Sequence, residues 1–192
     1  MNTELQKHYL ETGTYTYAGK YIEYYKSLPD NIPQLGKLIC SQVIHRKTLR
    51  DGNTNANKDL IYGDMDRFPW YRMRCEDDMF LNSGVMTTEL FRLDERGFTW
   101  DRRVEDKIVV CCRYVSVLMT SILKAKGIPC RTCAGFAPYF VKGESWDQWV
   151  NQYWDNRLNR WVTFDADANR TNSLKAVLRY LFYDFHVIMN NE

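Results

Sequence analysis

Two adjacent cysteines, Cys111 and Cys112, open the stretch CCRYVSVLMTSILKAKGIPCR, which ends in Gly-Ile-Pro and a further cysteine. A thiol attacks a carbonyl carbon as its thiolate, and two local devices lower its pKa: a helix N-terminus and a nearby imidazolium. Cys112 stands where a helix over 112–126 should begin, and a backbone N–H there could help hold an oxyanion. The base that normally serves such a nucleophile is a histidine oriented by a carboxylate or an amide. The segments QWVNQYW, 148–154, and RWVTFD, 160–165, read as two strands joined by the turn DNRLN. If Trp154 lies opposite Trp161, Gln148 and Asp165 project from one face as diagonal neighbours. A histidine at 148 would complete a Cys-His-Asp site. The residue is glutamine, which exchanges hydrogen bonds but does not titrate near neutral pH.

Other residues of the same chemical types have simpler readings. The histidines are His8, His45 and His186. His8 sits in a polar terminus, His45 follows an apolar helical face, and His186 lies in a terminal helical pattern. Each reads first as a surface or core residue, while His45 and His186 are equal candidates to replace the missing base. Asp147 adjoins the key position, but strand alternation points it away from the face that carries Gln148. Asp165 is either a carboxylate that orients a base or a strand-end residue. Cys111 reads as structural, with a resolving thiol as the minor alternative. Cys130 and Cys133 form a C-x-x-C that, with Cys111 and Cys112, suggests a four-thiolate zinc site. On a strand, that spacing puts Cys130 and Cys133 on opposite faces, so neither a metal nor a cofactor is expected.

The elements that must position these groups follow from periodicity. Residues 19–50 read as two helical pieces punctuated by Pro29 and Pro33, with Ile32, Leu35, Leu38, Ile39, Val43 and Ile44 on one face. Residues 51–59 form a polar loop, and a helix is expected near 86–94. Over 112–126, Val115, Leu118, Met119, Ile122 and Leu123 follow the spacing of a buried helical face, which Gly127 and Pro129 end. RTCAGFAPYF then reads as a strand, and residues 173–189 as a terminal helix. Helices segregated from antiparallel strands make an α+β fold, with the cysteine-bearing helix packed on the sheet. A single domain over 1–192 is expected, with an N-terminal helical part (19–107), a motif-bearing core (108–166) and the terminal helix (173–189).

Composition narrows the partners. The net charge is +2, and 26% of residues are charged, so no strong field points to a nucleic acid or a membrane. The first residues lack a basic stretch followed by an apolar one, and no apolar run approaches a membrane span. The expectation is a cytoplasmic protein whose six cysteines are reduced thiols. Oligomeric state is not legible.

The block CCRYVSVLMTSILKAKGIPCRTCAGFAPYF, followed by WDQWVNQYWDNRLNRWVTFD, resembles the transglutaminase-like superfamily, whose fold is related to papain. It is most similar there to bacterial stand-alone transglutaminase-like proteins. Cys112-Arg113, then Gly127, Ile128, Pro129 and Arg131, then Gly135, Phe136, Tyr139 and Phe140 match the family pattern in order. Asp147, Trp149, Val150, Tyr153 and Trp154 follow, and Arg160, Trp161, Val162 and Asp165 close it. The resemblance implies a papain-like/transglutaminase-like fold with its nucleophile at Cys112, not Cys111. It puts the family's histidine position on Gln148 and the orienting carboxylate on Asp165. The chemistry it implies is attack on an amide or thioester, a covalent acyl-thioester, and transfer to an amine or water, with a peptide, protein or acyl-thioester as substrate. The glutamine leaves three functions open: such an enzyme, a catalytically inactive domain that binds a peptide or protein segment, or a cysteine-based metal or redox module.

Overall fold

The computed structural model describes residues 3–46, 68–72, 74, 76–138 and 143–167, together with the backbone of 186–187. The chain begins with α1 (Thr3–Leu10), α2 (Ile22–Ser27) and α3 (Ile32–Ser41). Helix α3 starts on Asn31, whose side chain accepts the Gln34 N–H at 2.9 Å, with Pro33 in the first turn, where a missing N–H costs nothing. It buries Leu35, Leu38 and Ile39.

The expected helical face runs on through Val43 and Ile44, and here the structure corrects it. Helix α3 stops at Ser41, and β1 (Val43–His45) pairs in parallel with β2 (Ile108–Val110), with His45 opposite Val110. Gln42 marks the break. Its fully buried side chain donates to the carbonyls of Leu38 and Thr99, each at 2.7 Å, and accepts from Thr99 N–H and Arg102 Nε. Beyond it, a β-branched pair meets the β-branched run Ile-Val-Val, which suits a strand better than a helix.

Helix α4 (Ser83–Leu93) starts on Asn82, whose side chain accepts the Val85 N–H. Helix α5 (Cys112–Ala125) lies at the centre. Its Val115, Leu118, Met119, Ile122 and Leu123 are almost wholly buried and meet Tyr25, Leu35, Ile39, Met86, Leu90 and Ile108 in one hydrophobic core. Gly127, at φ 76°, closes the helix in the left-handed region, and the Ile128 N–H returns to Leu123 O at 2.9 Å.

The other face of the molecule is an antiparallel sheet in the order β5-β4-β3-β6: β3 (Cys130–Ala137), β4 (Trp146–Asp155), β5 (Arg160–Phe164) and β6 (His186–Val187). Trp154 does lie opposite Trp161. The architecture is α+β, a papain-like/transglutaminase-like arrangement with the cysteine-bearing helix on the sheet. Most of the expected 173–189 helix lies outside the described residues, as do the 51–59 loop, Tyr139 and Phe140. At His186 and Val187 the expectation is corrected to strand, paired with Phe136 and Gly135. The open edge of β3 presents backbone N–H and C=O groups, and an added strand satisfies them as a helix cannot.

Candidate active site

Cys112 is the first residue of α5, and Cys111 is its N-cap, with extended backbone at φ −88° and ψ 173°. The turn from β2 into the helix is held from both sides. Asp77 Oδ1 accepts the Cys111 N–H at 2.9 Å, and Cys111 O accepts the N–H groups of Tyr114 and Val115. The Cys112 side chain meets β4, where the Trp149 backbone N–H donates toward its sulfur. Both cysteines are buried at 8% exposure.

Gln148 precedes Trp149 and is likewise buried. Its Nε2 donates to both oxygens of Asp165, at 3.1 and 2.9 Å. The β4–β5 ladder has its last rung at Asn151–Phe164, so Asp165 reaches Gln148 from just beyond the end of the strand. The diagonal pair drawn from the sequence is thus a hydrogen-bonded pair. It makes the contact that a carboxylate makes with an imidazole N–H, but to a group without a titratable nitrogen. Gln148 and Asp165 thus bond each other on the strand whose Trp149 amide faces Cys112.

The electrostatics set the resting state. Cys112 is pushed far above the ordinary thiol range, most of all by its hydrogen bond to Cys111, then by burial and by the negative charge of Asp167; the Trp149 N–H opposes them. The same bond from Cys112 holds Cys111 below its ordinary value, against burial and against Asp77. At neutral pH Cys112 is therefore a thiol, and its attack on a carbonyl requires a base within the step.

The remaining candidates separate. Cys130 points to α5, with Sγ bonded to Thr120 O at 3.3 Å, and burial pushes its pKa up to about 12. Cys133 points to the other face, 3.6 Å from Gln152 Oε1, and is raised by burial. The two thiols do not converge, and among the described residues no group of three or more His, Cys, Asp and Glu could hold a metal ion. Asp147 is exposed, facing away from Gln148. His8 lies exposed on α1, its ring edge-on to Tyr9. His45 Nε2 lies 3.8 Å from Asp167 Oδ2. Sequence reasoning missed Asp77 and Asp167. Asp167 had a signal in the spacing Asp165-Ala166-Asp167, which carries a second carboxylate past the strand end. Asp77 had none, because its contact with Cys111 spans 34 residues. No helix among the described residues is long and apolar enough to cross a membrane.

The model of the transglutaminase-like superfamily matches residues 104–166, from the turn before β2 to the residue after Asp165. No curated protein matches the chain. Among solved structures, the chain is similar to a protein of Cytophaga hutchinsonii provisionally called a cysteine protease, at 14% identity and a TM-score of 0.50. The likeness covers 87% of this chain and 43% of that one, so the chain spans less than half of that protein's length. At this identity it is a likeness of fold. The helix-borne thiol and most of the sheet it packs on lie in this matched core, so residues 104–166 are similar to the transglutaminase-like superfamily and the chain has a papain-like fold.

Proposed function

We propose that the chain is a cysteine-dependent acyl-transfer domain, in which Cys112 takes an acyl group from an activated donor such as a thioester and passes it to an amine or to water. The observation that carries this reading is the convergence at the start of α5. Cys112 Sγ bonds to the Trp149 amide, one residue from the Gln148 carboxamide that is held by Asp165. An ordinary core would leave no reason to gather a thiol and a buried carboxylate at a helix N-terminus.

The donor class follows from the glutamine. An amide leaves as an amine only when protonated, and Gln148 has no proton to lose and regain. A thioester leaves as a thiolate and asks less of the site. The Gln148 carboxamide nitrogen is held against both oxygens of Asp165, and the Cys112 N–H in the first turn of α5 is a backbone donor for the oxyanion. Sulfur attacks the carbonyl carbon, the carbonyl electron pair moves to oxygen, and its return expels the donor's sulfur, which takes up the proton that Cys112 Sγ loses. An amine or water then attacks the Cys112 thioester, loses a proton, and releases the thiol.

The test is covalent acylation by p-nitrophenyl acetate, read by mass spectrometry of the peptide that contains Cys112. One acetyl group on that residue, absent in Cys112→Ala and released by an added amine, is expected. Acetylation unchanged in Cys112→Ala would sink the proposal.

A second reading, a domain that binds a peptide segment without turnover, is favoured by the protonated, buried state of Cys112 and by the closed Gln148–Asp165 pair. It predicts that Cys112 stays unmodified in the native protein and is labelled only on unfolding. The metal or redox reading has no thiol cluster in its favour among the described residues.

A further inference from the structure

We propose that Cys111 and Cys112 form a site of reversible oxidation, at which a hydroperoxide closes a disulfide between the neighbouring thiols and takes Cys112 out of acyl transfer. The control of transfer rests on the acyl-transfer reading above; the disulfide itself does not.

Adjacency keeps the two Cα atoms about 3.8 Å apart whatever the fold. What the fold decides is where the side chains point. Neighbours in a regular strand face opposite ways, but β2 ends at Val110 and α5 begins at Cys112. Cys111 is therefore extended, at φ −88° and ψ 173°, while Cys112 is helical. Across that break the two sulfurs meet, and the Cys112 S–H donates to the Cys111 sulfur. Both are free thiols, each 8% exposed. The turn is pinned on both sides: Asp77 Oδ1 accepts the Cys111 N–H at 2.9 Å, and Cys111 O accepts the Tyr114 N–H at 3.1 Å. The other described thiols face elsewhere. Cys40 Sγ donates to Ala166 O at 2.9 Å, Cys130 Sγ to Thr120 O at 3.3 Å, and Cys133 Sγ lies 3.6 Å from Gln152 Oε1.

The two sulfurs are also unlike, which suits a pair that oxidises in two steps. Cys112 keeps its proton, and its hydrogen bond favours the thiolate of Cys111. In the first step the Cys111 sulfur attacks one oxygen of the hydroperoxide. The O–O bond breaks, Cys111 becomes a sulfenic acid, and the departing oxygen takes up the proton that Cys111 releases. In the second step the Cys112 sulfur attacks the sulfenic sulfur. The S–S bond forms, the S–O bond breaks, and the hydroxide leaves as water with the Cys112 proton. The thiol pair gives up two electrons and the peroxide receives them. The bond joins Cα atoms closer than the roughly 4.4–6.8 Å of an ordinary disulfide, and the pinned turn resists opening. Such a bond is readily reduced, so the block is reversible. It also spares Cys112 the irreversible oxidation to a sulfinic acid.

The test exposes the full chain to hydrogen peroxide and traps the remaining thiols with N-ethylmaleimide in denaturant. Trypsin then releases the peptide Ile108–Arg113, which is read by mass spectrometry without reductant. The expected product is that peptide, unlabelled and lighter by a pair of hydrogen atoms, formed about tenfold faster than any other cysteine loses its label. Dithiothreitol should return it to the doubly labelled form. Acylation of Cys112 by p-nitrophenyl acetate should fall and recover with it. In Cys111→Ser the partner is gone, so peroxide should carry Cys112 to the sulfinic acid, and dithiothreitol should not restore acylation. A wild-type peptide that keeps both labels, gains oxygen or is joined to another peptide would overturn the disulfide. Recovery in Cys111→Ser equal to that of the wild type would overturn the sparing of Cys112. If the disulfide forms in a wild-type chain that is never acylated, the acyl-transfer reading fails, and with it the control of transfer, while the oxidation site stands.

Discussion

Gln148 and Asn151 are buried carboxamides three residues apart on β4, and they bind different classes of partner. Asn151 Nδ2 donates to Ser116 O and Thr120 Oγ1, each at 2.8 Å, while Ser116 Oγ donates back to Val150 O at 3.0 Å. Thr120 and Thr132 share a further bond. Every group in that set is neutral, and the set joins helix to sheet. Gln148 holds the Asp165 carboxylate instead. A structural tie is made more cheaply with neutral groups, because a buried carboxylate loses its hydration. The contrast sets Asn151, a neutral fastening, against the Gln148–Asp165 pair, whose buried charge fits the acyl-transfer site proposed above.

The largest test of this contrast is Gln148→His. It places a titratable nitrogen between Asp165 and Cys112, and Cys112 acylation should rise about a hundredfold in single-turnover measurements. No change would mean that position 148 does not serve the thiol, and the contrast would fail. Asn151→Leu should do the reverse. It removes the two hydrogen bonds to Ser116 O and Thr120 Oγ1 and should cost about 2 kcal/mol by urea denaturation, with acylation per folded molecule unchanged.

Tyr25 extends the contrast to a neutral fastening that can titrate. Its hydroxyl bonds to Thr87 Oγ1 at 2.6 Å and to Ser83 O at 3.1 Å, and burial raises its pKa to about 12. A phenol whose folded pKa lies above its unfolded value of about 10 contributes stability that is fully present below pH 10. That stability should fall by about 2 kcal/mol as pH rises from 10 to 12, and Tyr25→Phe should flatten the profile over that window. The smallest effect is expected for Ser116→Ala, about 1 kcal/mol from one lost hydrogen bond. A loss as large as that of Asn151→Leu would show that the hydroxyl, not the carboxamide, is the centre of the fastening.

Much of this was legible before any coordinates. The spacing Val115, Leu118, Met119, Ile122 and Leu123 states a buried helical face, and Gly127 states its end. Two aromatic strands on a short turn bring Trp154 opposite Trp161, and that register carries Gln148 to Asp165. Val43 and Ile44 were misread because they continue the apolar spacing of α3. The strand that captures them lies more than sixty residues downstream. The cysteine pair was half legible. Adjacency was visible, but not that Cys112 bonds to Cys111 and so stays protonated.

By itself, then, the sequence determined the central helix, the hairpin with its register, the thiol at the helix start, and the absence of a base at position 148. These depend on periods of two and of 3.6 residues and on turns, all of which act over short stretches of chain. Tertiary structure alone decided that β1 runs beside β2, that Asp77 holds the cap of α5, and that Asp167 meets His45. Those contacts join segments 34 to 122 residues apart. They arise because packing α3 and the sheet against α5 brings their ends to one corner, which no local pattern encodes.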